Sequence, residues 1–396
     1  MSGKDGAGTD AAASSPAGSG GLYRPVTIGS LSVPGNIFLG PVAGYSGRAF
    51  RSICIEQGAC FTYTELVSAE ALARNPAHYG LDDPGRPPAE LPPPANILRR
   101  ANNEKQYAVQ LFGANPETLY RAVLLLAPLH PQAVDLNCGC PVPKVVKTGA
   151  GSALMKNPGL LGRMVESAVR ASREALGGVP VTVKLRSGWD AASVNYRECA
   201  RIACAAGAAL AALHARTRSQ GYGGRADWSH IAELAALLPV PVAGSGDLFS
   251  PEDAERMLRE TGCAAVMFAR GAMGNPFIFS AVRSLLTTGS WQPADPVRRL
   301  RTGFRHLELL AEDLGETSAC LEMRKQFCAY TKALGSGGPG LPGAAALRNR
   351  LVHAETIEQY REIFAAAGIL GFDASRTKDT SETAAGPTPD KFGFME

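Results

Sequence analysis

The stretch AVDLNCGCPVPKVVKTGAGSALMKNPGLLGRMVESAVRASREALGGVPVTVKLRSG, Ala133–Gly188, holds one full structural cycle. It opens on a short apolar run ending in Gly139 and passes through a Pro/Gly-rich loop. It then takes up helical period over Asn157–Ala175 and closes on a second β-branched run ending in Gly188. Two such runs bracketing a helix predict parallel strands joined by a crossover helix. Working outward, the same cycle recurs. Upstream lie NIFLGPVAG (Asn36–Gly44), ACFTYTELV (Ala59–Val67) and YAVQLFG (Tyr107–Gly113). Downstream lie LAALHARTR (Leu210–Arg218), PVAGSGDL (Pro241–Leu248) and AAVMFARGA (Ala264–Ala272). Eight strands alternating with helices over Asn36–Thr288 predict an α/β fold, a (β/α)8 TIM barrel. An open doubly wound sheet would carry GxGxxG at its first turn, and GPVAGYSG is not that pattern.

The flanks differ. Residues 1–20 and 373–396 are polar and small-residue-rich, and are expected to be disordered. The barrel domain is expected over 21–292. After it the strand signals stop, and amphipathic patterns over 293–372 predict a small C-terminal helical bundle. LDDPGRPPAELPPPA (Leu81–Ala95) reads as a surface excursion without regular structure. In Ser250-Pro251, an N-cap is followed by proline at the first helical position. A net charge of +4 allows a polyanionic partner without demanding one. Nine cysteines scattered through apolar segments predict reduced thiols in a cytoplasm, not a disulfide framework. No stretch is long and apolar enough to cross a bilayer.

In such a barrel the reactive face lies at the C-terminal strand ends. Polar residues recur there: Tyr45, Ser46, Gln110, Asn137, Lys184, Arg186, His214, Arg216, Ser245, Asp247 and Arg270. One polar residue in a strand is often a satisfied core group; seven of the eight strands carrying them at the same end point to a site. Lys184 interrupts an apolar strand, so its ammonium must find an anion or a strong acceptor. GSGD and ARGAMGNP close strands seven and eight with small residues and Arg270, the phosphate location of this barrel. Together these suit a flavin mononucleotide. For Cys138 and Cys140, metal ligation would need further thiol or imidazole partners, and no set for a metal is expected. A disulfide across one residue would be strained. The remaining reading has one thiol working on substrate, with Gly139 and Pro141 presenting Cys140 on a loop.

GPVAGYSGRAFR, AVQLFG, DLNCGCPVPKVVKTGAGSALM, TVKLRSGW, LHARTRSQGYGGRADW, GSGDL and VMFARGAMGNPFIF resemble, in order, the tRNA-dihydrouridine synthase family. The C-terminal MRKQFCAYTKAL and LPGAAALRNRLVHAET are similar to the helical domain of its bacterial members. The resemblance implies an FMN-dependent enzyme that uses NADPH to reduce particular tRNA uridines to 5,6-dihydrouridine. Hydride would pass from flavin N5 to C6, and a proton from Cys140 to C5. Matching positions imply FMN contacts from Pro41, Val42, Ala43, Gln110, Lys184 and His214, with Ser245, Gly246, Asp247, Ala269 and Arg270 on the phosphate side. Asn137 is expected to orient the base or the flavin. Lys144, Lys147, Arg216, Arg324, Lys325 and Arg348 are the candidates for gripping tRNA. A monomer in the cytoplasm is expected.

The chain departs from the family pattern at four places. Val42 stands where methionine is common, Ser245 where asparagine is, Ala269 where glycine is, and Gln326 where histidine often follows RK. Three rivals remain. A dihydroorotate dehydrogenase-like FMN barrel would act on a free pyrimidine and need no helical domain. A catalytically silent RNA-binding barrel would bind no flavin. A metal-dependent barrel hydrolase lacks a His/Asp ligand set.

Overall fold

Period-two alternation sorts each expected run into an inward and an outward set. In the computed structural model both sets find their partners. The structure describes residues 21–83, 85–87, 90–332 and 343–369. The expected disordered leader and tail, and Pro84, Pro88 and Ala89 of the Pro-rich stretch, lie outside the described residues.

A hairpin comes first, β1 (Val26–Ile28) and β2 (Leu31–Val33). The barrel staves follow as β3 (Ile37–Leu39), β4 (Phe61–Tyr63) with its continuation β5 (Val67–Ser68), β6 (Tyr107–Phe112), β7 (Ala133–Cys138) and β8 (Val181–Gly188). β9 (Leu210–Thr217), β10 (Val242–Ser245) and β11 (Ala265–Phe268) complete them. All pairings among the staves are parallel. β3 joins β4 to β11, and β4 and β5 both pair with β6, so the cylinder closes. Each expected strand is present.

Inward residues Phe38, Phe61, Ala108, Ala133, Ala212, Ala243 and Met267 fill the cylinder as one cluster. Val134, Leu136, Val183 and Leu185 point outward against the helices. The hairpin was not anticipated, because three-residue strands carry too little periodicity. It seals the N-terminal end, with Val26, Ile28 and Val33 buried against the interior cluster.

The helices around the barrel are α1 (Arg48–Glu56), α2 (Ala69–Arg74), α3 (Pro116–Leu124), α4 (Pro143–Val146) and α5 (Pro158–Ala175). They continue with α6 (Tyr196–Ala205), α7 (Ser229–Leu237), α8 (Pro251–Thr261) and α9 (Ile278–Thr288). α8 starts as its sequence predicts. Ser250 accepts from the Asp253 N–H, Asp253 reaches back to the Ser250 N–H, and Pro251 takes the first helical position.

Beyond the barrel, α10 (Pro296–Leu314), α11 (Glu316–Tyr330), α12 (Ala344–Leu351) and α13 (Ile357–Ala366) gather round Leu300, Leu307, Met323, Phe327, Tyr360 and Phe364. This region docks on the barrel. Arg48 of α1 pairs with Asp313, and Phe50 stacks on His306 at 5.5 Å. At Gly274 (φ +63°) a Cβ would stand 2.3 Å from the Ala329 carbonyl carbon, so only glycine lets the last barrel loop meet α11.

The Pro-rich stretch corrects the sequence reading. Its Leu81, Leu91 and Ala95 are buried in the helix-side core, and Pro93–Ile97 forms a 3-10 turn. Prolines hold the chain extended or tightly turned while the interspersed leucines pack inward. The segment after it carries Glu104, which meets buried Arg51 of α1 in a two-pronged ion pair at 2.8 and 3.2 Å.

Candidate active site

The mouth at the C-terminal strand ends opens on a cavity of about 320 Å³, within the range of small-molecule sites. Cys140 and all the expected cofactor residues line it: Pro41, Val42 and Ala43 after β3, Gln110 in β6, Lys184 in β8, His214 in β9, Ser245–Asp247 after β10, and Ala269 and Arg270 after β11. Asn137 lines it too.

The end of β7 at Cys138 separates the two cysteines. Cys138 continues the outward set of β7 and is fully buried in the helix-side core. The chain then turns, and Cys140 comes to the mouth, half-buried. Asn137 makes that turn: its Oδ1 accepts from the N–H groups of Gly139 (3.1 Å) and Cys140 (2.8 Å). Ser152 donates to the Cys140 carbonyl from the other side at 3.0 Å. Arg186 donates through Nε to the Gly139 carbonyl and through Nη1 to the Thr217 and Gly221 carbonyls, each at 2.9 Å, stitching the loop to β9. Burial raises the Cys140 thiol above its ordinary value, with Arg186 and Lys184 pulling the other way. The group is a protonated thiol at neutral pH.

Lys184 faces it in the same cavity. Burial, then the Arg186 charge, lower its ammonium to about 8. No acceptor among the described residues hydrogen-bonds its Nζ. Below it Asp135, an inward residue of β7 absent from the sequence candidates, is wholly buried. Its Oδ2 accepts from Gln110 Nε2 at 2.6 Å and its Oδ1 from Thr182 at 2.5 Å. Burial pushes this carboxyl up to about 6, against the pull of those hydrogen bonds and of Lys184.

On the far side, burial and then the surrounding Lys184, Arg186, Arg216 and Arg270 charges lower His214 to about 2, so it is neutral. Arg216 Nη1 meets its Nε2 at 3.3 Å. A guanidinium only donates, so Nε2 accepts and Nδ1 carries the proton. Arg216 also holds Asp247 through Nη2 at 2.7 and 2.8 Å, together with the Gly223 and Gly224 carbonyls. Asp247 sits in the left-handed region at φ +56°. Burial raises its carboxyl, but the Ala226 N–H and the Arg216 guanidinium outweigh this and hold it below the ordinary range. Arg270 approaches Asp247 at 3.4 Å and lies between the Tyr222 and Phe249 rings, at 4.3 and 5.2 Å. Among the described residues, none of the turn hydrogen bonds uses the N–H groups of Gly246, Asp247 or Ala269, which suits them to an anion. The Ser245 hydroxyl donates to the Met267 carbonyl at 2.9 Å.

Several expected tRNA contacts look different in three dimensions. Arg216 is 1% exposed, and its donors are engaged inside the fold. Arg348 donates to the Thr331 hydroxyl and carbonyl at 2.8 and 3.0 Å, tying α12 to the end of α11. Asn137 spends both ends of its amide within the protein, its Nδ2 donating to Gln110 Oε1 at 2.9 Å. Lys144 and Lys147, just after the cysteine loop, are exposed. Arg324 is 3.8 Å from Glu355. Lys325 pairs with Glu322 and lies 5.6 Å from the Tyr45 ring, beside the loop that follows β3. Asp135, Tyr222 and Phe249 were not among the sequence candidates. Asp135 alone had a legible signal, an inward register position between Ala133 and Asn137. Among the described residues no group of three His, Cys, Asp or Glu side chains could hold a metal, and no helix is long and apolar enough to cross a membrane.

Residues 38–367 match the family model described as dihydrouridine synthase. A probable tRNA-dihydrouridine synthase of Treponema pallidum (strain Nichols) is 46% identical over 347 residues, 86% of this chain and 96% of the relative. The tRNA-dihydrouridine synthase B of Xanthomonas axonopodis pv. citri is 35% identical over 306 residues, covering 77% of this chain and 86% of its own. Among solved structures, a 2-naphthoyl-CoA reductase complex superposes with a TM-score of 0.53 at 12% identity, over 88% of this chain and 69% of that one; this likeness concerns the fold. The chain belongs to the dihydrouridine synthase family, an oxidoreductase family.

Proposed function

We propose that this protein reduces specific uridines of tRNA to 5,6-dihydrouridine with FMN and NADPH, and that Cys140 is the proton donor. One observation carries the reading: the Cys140 thiol, raised by burial, and the Lys184 ammonium, which no acceptor among the described residues hydrogen-bonds, share a single cavity at the barrel mouth. The residues present fit the flavin. Lys184 offers an ammonium unpaired among the described residues, His214 a ring N–H, and the Gly246, Asp247 and Ala269 N–H groups with Arg270 a cradle for the phosphate. When bound, FMN would supply the hydride that saturates the C5–C6 bond.

The chain's own residues do the rest. Lys184 would hold its positive charge in the cavity beside the bound flavin, stabilising the reduced form. Cys140 gives its proton to C5 as negative charge develops on the base, by general acid catalysis. A thiol held protonated suits this task, where a thiolate would not. The Asp247 carboxylate serves as the clamp that orients Arg216 and Arg270 and itself stays off the phosphate, which it would repel, so that Asp247 offers the phosphate only its N–H. Asn137 and Arg216 act as positioning residues, and Arg348 as a brace within the helical region. Lys144 and Lys147, with Arg324 and Lys325 from residues 293–372, form the proposed tRNA grip. A stacked uridine must be flipped out to reach the mouth, and phosphate contacts outside the cavity offset that loss. A monomer acting in the cytoplasm, where tRNA is found, completes the proposal.

The test is dihydrouridine mapping in tRNA from cells lacking the protein, complemented with wild type, Cys140→Ala or Cys138→Ala. Wild type and Cys138→Ala should restore the lost site, and Cys140→Ala should not. Restoration by Cys140→Ala removes the thiol from the mechanism, and an unchanged dihydrouridine map in the deleted strain refutes the function.

A further inference from the structure

Three buried side chains below the mouth form a hydrogen-bonded chain with only one allowed direction. Asp135, when ionised, accepts at both oxygens, so Gln110 must turn its NH2 toward it, and does so at 2.6 Å. At the other end the Gly139 and Cys140 N–H groups only donate, so Asn137 must turn its oxygen toward them, at 3.1 and 2.8 Å. The remaining link is then forced: Asn137 Nδ2 donates to Gln110 Oε1 at 2.9 Å. Asp135 and Gln110 are 0% and 1% exposed, so bulk water does not substitute for a lost partner.

We propose that Asp135 is a positioning residue for the thiol: through Gln110 and Asn137 its carboxylate dictates the amide orientation that holds the Cys140 loop at the mouth. This rests on the reading of Cys140 as proton donor. Asp135 itself touches neither the loop nor the open cavity. An apolar residue in its place leaves the Gln110 NH2 unpaired and free to invert. Inversion would turn the Asn137 NH2 onto the Gly139 and Cys140 N–H groups, donor against donor, and release the loop.

The experiment compares Asp135→Leu and the swap Asp135→Asn/Gln110→Glu with wild type, each purified as holoenzyme. It measures the iodoacetamide alkylation rate at Cys140 by mass spectrometry, alongside kcat and KM for tRNA. For Asp135→Leu, Cys140 alkylation should rise at least fivefold and kcat fall at least tenfold, with KM for tRNA within threefold of wild type. The swap supplies the readout that packing alone would not move. It shifts the acceptor-only carboxylate one link along, where it accepts from Asn137 Nδ2 and fixes the same direction without Asp135. Its Cys140 alkylation rate should therefore stay within twofold of wild type. A folded Asp135→Leu with alkylation and kcat within twofold of wild type overturns the proposal. If that variant does not fold, a swap whose Cys140 alkylates at least fivefold faster than wild type overturns it equally. Wild type that alkylates normally but reduces no tRNA uridine refutes the functional reading, whereas an active wild type whose Cys140 reactivity is unchanged in Asp135→Leu refutes the positioning role.

Discussion

Lys184→Met should make the flavin-free protein more stable while depriving it of its cofactor. Burial and Arg186 lower this ammonium from 10.5 to about 8. At ~1.4 kcal/mol per pH unit, keeping Lys184 charged at pH 7 opposes folding by about 3 kcal/mol. Methionine fills a similar space without charge. After roughly 1 kcal/mol for imperfect repacking, a net gain of about 2 kcal/mol is expected. The sign with pH follows from linkage. Between about pH 8 and 10.5 the unfolded chain keeps the lysine proton that the folded chain has released, so wild-type stability rises across that window. The methionine variant lacks this dependence, and its advantage should shrink toward pH 10. Urea unfolding of both flavin-free proteins at pH 7 and pH 10 checks this. A bound flavin should then raise wild-type stability and leave the variant unmoved. A variant no more stable than wild type at pH 7, or a gap that persists at pH 10, refutes the argument that the site stores an unpaired charge for its ligand.

Two further sets of substitutions test other parts of the molecule. Arg51→Met strands the Glu104 carboxylate in the core, where it also accepts from Thr62 and the Ala101 N–H at 2.6 Å, and should lower unfolding free energy by about 3–5 kcal/mol. Adding Glu104→Gln should recover most of that loss in the same urea titration. Lys144→Ala and Lys147→Ala should each weaken tRNA binding and reduce the slope of log Kd against log salt by roughly 0.7–0.9, with flavin content unchanged. A slope that stays put would move the phosphate grip elsewhere.

What the amino-acid sequence determined by itself was everything that local rules encode. Strand and helix periodicity repeated eight times is enough for the closed barrel, and Ser250, Pro251 and Asp253 write the start of α8 within four residues. The site was legible for a related reason. Closure brings the same end of every strand together, so polar residues at those ends converge whatever their separation in the chain. Tertiary structure alone decided which partner each polar group takes. Arg51 and Glu104 are 53 residues apart, and nothing in either neighbourhood announces the other. Arg216 and Arg348 read as surface cations until closure and helix docking turned them onto Asp247 and Thr331. Cys138 and Cys140 share one parity in the sequence. Only the turn held by Asn137 sends the second thiol to the mouth while the first stays against the helices. Propensity and period act over a few residues, whereas pairing across a barrel depends on which distant strand arrives alongside.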